Sequence, residues 1–251
     1  MKIENNFSDV LTEKSLLHPN KVYCHKINGR EITFLELEQY VNRCCRLYEE
    51  IGVVSNDVVT ISIPNSISFI IFYIAGIRSG IKVNPCPSTL SEHELVKNIN
   101  FVESKLLITQ KLIDTDTIPV NCSYLKFNDD DDFLLQLETY KDDKYEREIC
   151  SDDIACIYYS SGTTGNTKSV LYSHKNMLSL TKSIVNDFQF LLDEHKTMNQ
   201  LALAYILSHK EVSTCIPGVK TAEQLKSNIS SSEIKLTLDE LNEIRDIQQK
   251  W

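Results

Sequence analysis

A short polar stretch in the second half of the chain has the residue types that bind phosphate groups. It runs from Ile157 to His174 and reads IYYSSGTTGNTKSVLYSH. Glycines let backbone amides approach an anion closely, hydroxyl groups donate hydrogen bonds to it, and a lysine supplies charge. The candidate phosphate-binding residues are Ser161, Gly162, Thr163, Thr164, Gly165 and Lys168. A polar surface hairpin without a ligand is the alternative, but this ordered string between two strand-forming runs favours phosphate binding.

Residues 161–168, called the phosphate loop below, come close to the P-loop pattern without matching it. Thr167 stands where that pattern requires glycine. A P-loop also leads from a strand into a helix, whose N-terminus faces the phosphates. Here the next residues, SVLYSH (169–174), are strand-forming. The sequence therefore predicts a strand, a loop and a second strand, and we reject the P-loop interpretation.

Upstream of the phosphate loop, helical and strand patterns alternate. Strands are predicted at residues 57–63, 81–84 and 105–109, where β-branched and apolar residues are concentrated. Helices are predicted after capping boxes at Thr33 and Ser91, and a mostly buried helix is predicted between Ser66 and Gly80. Such alternation implies a parallel sheet with helices on its faces, which is an α/β fold with a partial doubly wound sheet.

Acidic residues dominate the segment before the phosphate loop. It contains NDDDD at residues 128–132 and KDDKYERE at residues 141–148. A calcium-binding loop would need spaced ligands and a turn glycine, which the first run lacks. We therefore predict that both runs are solvated loops.

The chain after His174 predicts a mostly helical tail with one strand. Capping boxes at Thr197, Thr221 and Thr237 each predict the beginning of a helix. The first of these helices contains QLALAYIL (200–207), which is apolar nearly all round and predicts burial on most sides. VSTCIP (212–217) predicts the strand, and a turn follows at Gly218.

Composition excludes several classes of function. The net charge of −9 argues against nucleic acid as a general partner, which would need a basic surface. The longest apolar run, residues 67–77, is too short to span a bilayer. The eight cysteines form no C-x-x-C pair, and the N-terminal MKIENNFSDV has no signal pattern. We therefore expect a cytoplasmic protein with free thiols, no membrane span and no protein-bound metal site.

The stretch YYSSGTTGNTKSVLYSH resembles the signature loop of the adenylate-forming ligases, which include acyl-CoA synthetases, luciferase-like enzymes and adenylation domains. That signature usually reads Y-T-S-G-T-T-G-x-P-K-G-V, and this chain has Thr167 for the proline and Ser169 for the last glycine. The resemblance covers most of residues 8–185. The segment VNPCPSTLSEHEL (83–95) is more similar to acyl-CoA synthetases than to peptide-synthetase modules.

This resemblance implies a two-step reaction. A carboxylate attacks the α-phosphate of ATP to give an acyl-adenylate and pyrophosphate, and a thiol or amine then takes the acyl group. By position, Ser161, Thr163, Thr164 and Lys168 would hold the β- and γ-phosphates with Mg²⁺. The implied cofactors are ATP and Mg²⁺, and the implied partners are a small carboxylic acid and either coenzyme A or a carrier protein.

Other segments of the ligase family are not recognisable after His174. They are the adenine-binding segment, the Tyr-Gly-x-Thr-Glu stretch, the ribose-binding aspartate and the late catalytic lysine. We therefore interpret residues 1–187 as a truncated AMP-binding region that is weakly active or inactive as this chain. No catalytic residue is assigned.

Residues 191–244 resemble instead the C-terminal end of the aldo-keto reductases, (β/α)₈ barrels that use NADP(H). The similar pieces are QLALAYILSH, VSTCIPG and KTAEQLKSN. By position, the cofactor-binding residues would be Gly218, Lys220, Thr221, Gln224 and Asn228. A glycine turn, a lysine and a capped helix N-terminus together suit an anion.

The earlier barrel strands, which would carry the reductase's catalytic tetrad, are missing, so a remnant is favoured over a working NADP(H) site. Residues 188–251 are accordingly predicted to be a reductase fragment joined to the ligase region near residues 186–191. Three functions stay open: a carboxylate-activating ligase, an NADP-dependent reductase, and a non-catalytic degenerate fusion protein.

Overall fold

The computed structural model describes residues 6–25, 31–160, 168–181, 197–215, 217–219 and 221–249. The chain divides into two compact units, Met1–Leu178 and Ser179–Trp251. The first unit contains the sheet and ends just before the predicted join, and the second is helical in its described part.

The first unit is built on a mixed sheet, which has six strands among the described residues, in the order β6-β5-β3-β4-β7-β8. The strands of this sheet are β3 (Val58–Ser62), β4 (Lys82–Pro85), β5 (Leu106–Thr109), β6 (Ser123–Lys126), β7 (Ile154–Ser160) and β8 (Lys168–Ser173). All neighbours pair in parallel except β7 and β8, which are antiparallel. Strands β1 (Val22–His25) and β2 (Glu31–Thr33) form a separate antiparallel pair. The predicted strands at 57–63, 81–84 and 105–109 correspond to β3, β4 and β5.

Helices cover both faces of this sheet. They are α1 (Asp9–Leu17), α2 (Phe34–Ile51), α3 (Ile67–Arg78), α4 (Glu92–Phe101), α5 (Asp130–Leu137) and α6 (residues 174–181). The main core contains side chains of α2, α3 and α5 with Val59, Ile61 and Cys156 of the strands. A smaller core on the opposite face joins Leu95 and Ile99 of α4 to the strands. The predicted α/β fold with a doubly wound sheet is therefore confirmed.

The capping boxes predicted from sequence form in both units. In each, a Ser or Thr hydroxyl accepts a hydrogen bond from the backbone amide three residues later, and a Glu or Gln side chain accepts one in return. The five capping residues are Thr33, Ser91, Thr197, Thr221 and Thr237. Short-range side-chain chemistry thus sets where these helices begin.

The prediction of a solvated loop at residues 128–132 was wrong, because the acidic run begins helix α5. The carboxylate of Asp129 accepts a hydrogen bond from the backbone amide of Asp132 at 2.9 Å and caps the helix. The aspartates that follow lie in the first turn, where the helix dipole favours negative charge. Phe133 then stacks on Phe72 in the core, with ring centroids 4.1 Å apart.

A buried ion pair holds the first three helices together. Arg78, at the end of α3, donates to both carboxylate oxygens of Glu38 in α2, at 2.9 and 2.8 Å. It also donates to Asn42 of α2 and to Thr12 of α1, at 2.7 and 3.1 Å. The side chain of Arg78 is 4% exposed and that of Glu38 is 10% exposed, so neither charge can be solvated without the other.

The described part of the second unit contains α7 (Met198–Leu207), α8 (Ala222–Ser230) and α9 (Leu238–Gln249), and a short 3-10 helix at Ser231–Glu233 follows α8. Leu201 and Ile244 form its small core. The predicted strand at 212–217 is wrong for the described residues 212–215 and 217, which pair with no neighbouring strand. A strand requires a ladder partner for its backbone groups, and the described part of this unit offers helices instead. The prediction of a mostly helical tail is confirmed for the described residues between 197 and 249.

Burial keeps several thiols of the first unit protonated. It raises the pKa of Cys45 to about 12 and that of Cys86 to about 12, so neither thiol is a ready nucleophile.

Among the described residues, no group of three or more His, Cys, Asp or Glu side chains is arranged to hold a metal ion. Within the same residues, no helix combines the length and apolar character needed to cross a membrane.

Replacing Arg78 with methionine should destabilise the first unit by about 3–5 kcal/mol, because Glu38 would stay buried without its partner. Urea denaturation followed by circular dichroism measures the loss. Lys175→Met is the control, since the pair between Lys175 and Asp152 is exposed and should contribute less than about 1 kcal/mol. Equal losses in the two variants would contradict this interpretation.

Candidate functional site

The candidate site lies at the edge of the sheet where the parallel strands end. Because β3, β4, β5 and β7 run in parallel, their carboxyl ends share one edge. The chain goes from β3 to β4 on one side and then returns to β5 on the other side of β3, so the strand order reverses here. Ligands of open α/β sheets bind at this edge, near such a reversal. The phosphate loop follows the carboxyl end of β7 directly.

The two ends of the phosphate loop are held together by the antiparallel pairing of β7 and β8. Ser160, the last residue of β7, is the register partner of Lys168, the first residue of β8. The two predicted strands are therefore confirmed, and the residues between them lie outside the described part of the chain. The predicted side chains at 161–165 lie outside the described residues, and for Lys168 the backbone alone is described.

Two adjacent tyrosines before the phosphate loop contact opposite faces of the sheet, as alternation along a strand requires. The hydroxyl of Tyr158 lies 2.7 Å from the hydroxyl of Tyr73 in α3. The hydroxyl of Tyr159 donates to Oδ1 of Asn84 in β4, at 2.9 Å, on the face covered by α4. The end of β7 is thus tied to its surroundings on both faces.

Tyr159 is the last member of a row of polar side chains that crosses the sheet beneath α4. We call this row, formed by Ser104, Thr60, Asn84 and Tyr159, the polar seam. Nδ2 of Asn84 donates to Oγ1 of Thr60 at 2.9 Å, and Oγ1 of Thr60 donates to Oγ of Ser104 at 2.9 Å. Nδ2 of Asn84 also donates to Oδ1 of Asn98 in α4, at 2.8 Å. Sequence reasoning missed the polar seam, although Thr60 and Asn84 are polar residues inside predicted buried strands.

The opposite face of β7 carries a thiol beside two phenols. Sγ of Cys156 lies 2.9 Å from the hydroxyl of Tyr73. Burial raises the pKa of Cys156 to about 11 and raises that of Tyr73 well above its ordinary value. Both groups therefore stay protonated near neutral pH, and this cluster supplies neither a nucleophile nor a base.

His174, which follows β8, is fully buried. Its Nδ1 accepts a hydrogen bond from the backbone amide of Phe7 at 3.5 Å, and its Nε2 has no hydrogen-bond partner among the described residues. Burial lowers the pKa of His174, and the charge of Asp153 opposes this effect. The ring therefore stays neutral and packs the end of β8 against the N-terminal segment.

An open cleft of about 750 Å³ lies away from the phosphate loop. It is lined by Arg78, at the end of α3, and by Ile149 and Cys150, which precede β7. It therefore lies toward the amino ends of the strands. Its charged lining residues include Asp9 and Arg147 and so carry both signs, which does not select for phosphate.

Of the residues predicted for a reductase cofactor, Thr221 and Gln224 lie at the beginning of α8 and Asn228 lies near its end. Gly218 precedes the helix, and Lys220 is outside the described residues. The hydroxyl of Thr221 and the side chain of Gln224 form the capping box of this helix. Oδ1 of Asn228 accepts a hydrogen bond from Asn199 of α7, at 2.5 Å. These three side chains therefore have structural partners within the second unit.

The family model described as "AMP-binding enzyme" matches residues 11–241. The chain therefore belongs to the AMP-binding enzyme family. The match continues into residues 188–241, where a reductase fragment was predicted, and that fragment stays a prediction.

Curated relatives include two CoA ligases of Arabidopsis thaliana. Peroxisomal OPC-8:0-CoA ligase 1 is 28% identical over 171 residues, which cover 64% of this chain and 31% of the relative. 4-Coumarate–CoA ligase-like 2 is 28% identical over 199 residues, covering 71% of this chain and 35% of the relative. The chain thus spans about a third of the length of these relatives.

Solved structures share the fold. ATP-bound MatB from Rhodopseudomonas palustris is 24% identical, with a TM-score of 0.65, over 74% of this chain and 38% of that one. A fatty acyl CoA synthetase of Mycobacterium tuberculosis is 20% identical, with a TM-score of 0.63, over 72% of this chain and 37% of that one. These likenesses place the sheet and its helices in the fold of the ligase N-terminal region.

The free energy of unfolding should decrease as the pH is lowered from neutral to mildly acidic values, because His174 is buried as a neutral ring. Its pKa in the folded chain is lowered, so the unfolded chain binds the proton more readily as pH falls through the ordinary histidine range. Urea midpoints at pH 7.5 and pH 6.0 should differ less in His174→Gln than in the unmodified chain. His93→Gln, at an exposed position of α4, should leave that difference unchanged. If His174→Gln and the unmodified chain showed the same pH dependence of stability, His174 would not be its cause.

Proposed function

We propose that the chain carries the ATP-binding region of a ligase that activates a carboxylic acid as an acyl-adenylate. The observation that carries the proposal is the hydroxyl- and glycine-rich phosphate loop, whose ends are paired at Ser160 and Lys168 on the carboxyl edge of the sheet. Membership of the AMP-binding family supports it. Because the chain spans about a third of its curated relatives, the complete reaction belongs to the proposal.

The phosphate loop would act by binding and orientation. Hydroxyls of Ser161, Thr163 and Thr164 would donate to the β- and γ-phosphates, and Lys168 would contribute positive charge. Mg²⁺, when bound with ATP, would neutralise part of the triphosphate charge. Gly162 and Gly165 would let backbone amides come close to the phosphates. The α-phosphate would then be held for attack by a carboxylate, with pyrophosphate as the leaving group, so that catalysis rests on positioning and charge stabilisation.

The donor set fits this ligand. It offers hydroxyls, amides and one ammonium group and no carboxylate within residues 161–168, so an anion meets donors alone. The neighbouring side chains of Tyr158 and Tyr159 are neutral phenols, because burial raises the pKa of each. A triphosphate would therefore meet no fixed negative charge in either the phosphate loop or the adjoining part of β7.

The substrates would be ATP and a small carboxylic acid, with coenzyme A as the favoured acceptor and a carrier protein as the alternative. Two of the similar relatives are named as CoA ligases, which supports coenzyme A as the acceptor. The free cysteines suit a reducing compartment such as the cytoplasm.

We keep a two-part organisation in the proposal, with residues 1–187 as the AMP-binding region and residues 188–251 as a distinct tail. The separation of two compact units at Leu178 supports a boundary near there. We do not extend the proposal to NADP(H) or to a reductase activity. The reason is that the family match runs through the tail and that Thr221 and Asn228 already have structural partners.

Lys168→Ala should weaken MgATP binding by about 10- to 100-fold, the equivalent of losing one charge-assisted hydrogen bond. Isothermal titration calorimetry of the whole chain measures the dissociation constant. Lys175→Ala removes an exposed lysine seven positions later and should bind MgATP as the unmodified chain does. Equal affinity in Lys168→Ala and the unmodified chain would contradict the role of Lys168.

Exchange of labelled pyrophosphate into ATP tests the chemical step separately. A panel of aliphatic and aromatic carboxylic acids should include at least one that supports exchange, if this chain completes adenylation by itself. Binding of MgATP without exchange would restrict the function to nucleotide binding. Absence of both would remove the ligase assignment for this chain.

A further inference from the structure

We propose that Tyr159 is a positioning residue for the phosphate loop, acting through the polar seam. This inference rests on the proposed function, because it assigns to the polar seam the task of holding the loop where a nucleotide triphosphate binds. Tyr159 itself is two residues before the loop and is assigned no contact with the nucleotide. Its role is carried by the hydrogen bond from its hydroxyl to Asn84.

The acceptor of this hydrogen bond is held in one orientation. Asn84 is fully buried, and its Nδ2 donates to Thr60 and to Asn98 at 2.9 and 2.8 Å. With both amide hydrogens used, Oδ1 of Asn84 is left to accept from Tyr159. A buried amide with all its partners in place resists rotation, since turning it would break three hydrogen bonds at once.

The polar seam reaches across the middle of the sheet. Thr60 lies in β3, and Ser104 precedes β5 and donates to the backbone carbonyl of Leu106 in that strand, at 2.9 Å. Hydrogen bonds thus link β5, β3, β4 and β7 through side chains, perpendicular to the strands. Thr60 and Asn84 are fully buried and Ser104 is 2% exposed, so water cannot replace a missing partner without opening the sheet.

The end of β7 depends on this side-chain link because its backbone pairing to β4 is short. Between these two strands the ladder registers one pair, Val83 with Cys156, whereas β3 and β4 register four pairs. The residues from Ile157 to Ser160 therefore extend beyond the ladder toward the phosphate loop. On their other side lies β8, the edge strand of the described sheet. The hydrogen bond of Tyr159 to Asn84 thus links the last part of β7 to the neighbouring strand β4 beyond the end of their ladder.

Tyr158 offers a matched comparison. It is the adjacent residue of the same strand and has a hydrogen-bonded phenol, but its partner is Tyr73 on the opposite face. It is 39% exposed and takes no part in the polar seam. Removal of its hydroxyl therefore changes a similar chemical group at nearly the same place without detaching β7 from β4.

The test compares Tyr159→Phe with Tyr158→Phe in the whole chain. MgATP affinity is measured by calorimetry at a temperature where both variants are folded, and amide hydrogen exchange is measured in peptides covering residues 154–173. We expect about five-fold weaker MgATP binding and faster exchange in Tyr159→Phe, the size expected for one buried hydrogen bond. Tyr158→Phe should match the unmodified chain in both measurements.

A second variant tests whether the effect of Tyr159 on MgATP binding depends on its acceptor, Asn84. In an Asn84→Ala background the acceptor is gone, so adding Tyr159→Phe should weaken MgATP binding no further. Additive losses would overturn the proposal. So would a lower melting temperature of Tyr159→Phe with unchanged MgATP affinity, since the residue would then serve stability alone. Uniformly faster exchange over all strands would overturn it as well, because it would indicate general loss of the fold.

Failure of the proposed function is distinguishable from failure of this inference. If the unmodified chain binds no MgATP, the proposed function falls, and the exchange comparison of the two tyrosine variants still decides whether Tyr159 ties β7 to β4. If the unmodified chain binds MgATP and Tyr159→Phe binds it equally well, the proposed function stands and Tyr159 has no positioning role.

Discussion

The parallel direction of β3, β4, β5 and β7 is the constraint on which the candidate site depends. Parallel strands need long connections, and here those connections are helices that cross the sheet on both faces. Burial of apolar side chains against both faces makes this arrangement stable. The carboxyl ends of the strands then share one edge, and the phosphate loop begins at that edge. Without the parallel order, the strand ends would not share the edge at which residues 161–168 begin.

The sheet has chemically different layers on its two faces. Beneath α3 the core is mainly apolar and aromatic, although it includes the hydrogen bond between the phenols of Tyr73 and Tyr158. Beneath α4 the polar seam replaces part of that apolar contact with directional hydrogen bonds. Apolar packing tolerates small shifts of one strand against the next, whereas hydrogen bonds fix the position. Hydrogen bonds next to the phosphate loop therefore suit a site that must hold phosphates in a fixed position.

Much of the fold follows from local sequence patterns, and the departures from prediction have physical causes. The capping boxes at Thr33 and Ser91 depend on residues three positions apart, so the sequence alone shows them. The helix at Asp129 was missed because a charge run also suits a solvated loop, and burial of Phe133 decides between the two. Whether residues 212–217 pair as a strand depends on a partner elsewhere in the chain, which no local pattern reveals. The chemistry of the phosphate loop is visible in sequence, whereas the bond from Tyr159 to Asn84 joins residues 75 positions apart.

Stability and binding are assigned to different regions of the first unit. The ion pair of Arg78 and Glu38 joins helices at the amino ends of the strands, and the proposed nucleotide site is at the carboxyl ends.

The central claim is that residues 161–168 bind the triphosphate of ATP. A crystal structure of the chain with Mg²⁺ and a non-hydrolysable ATP analogue tests this claim most directly. The triphosphate should lie against residues 161–168, beyond the end of β7. A nucleotide bound instead in the cleft lined by Arg78 and Cys150 would contradict that claim.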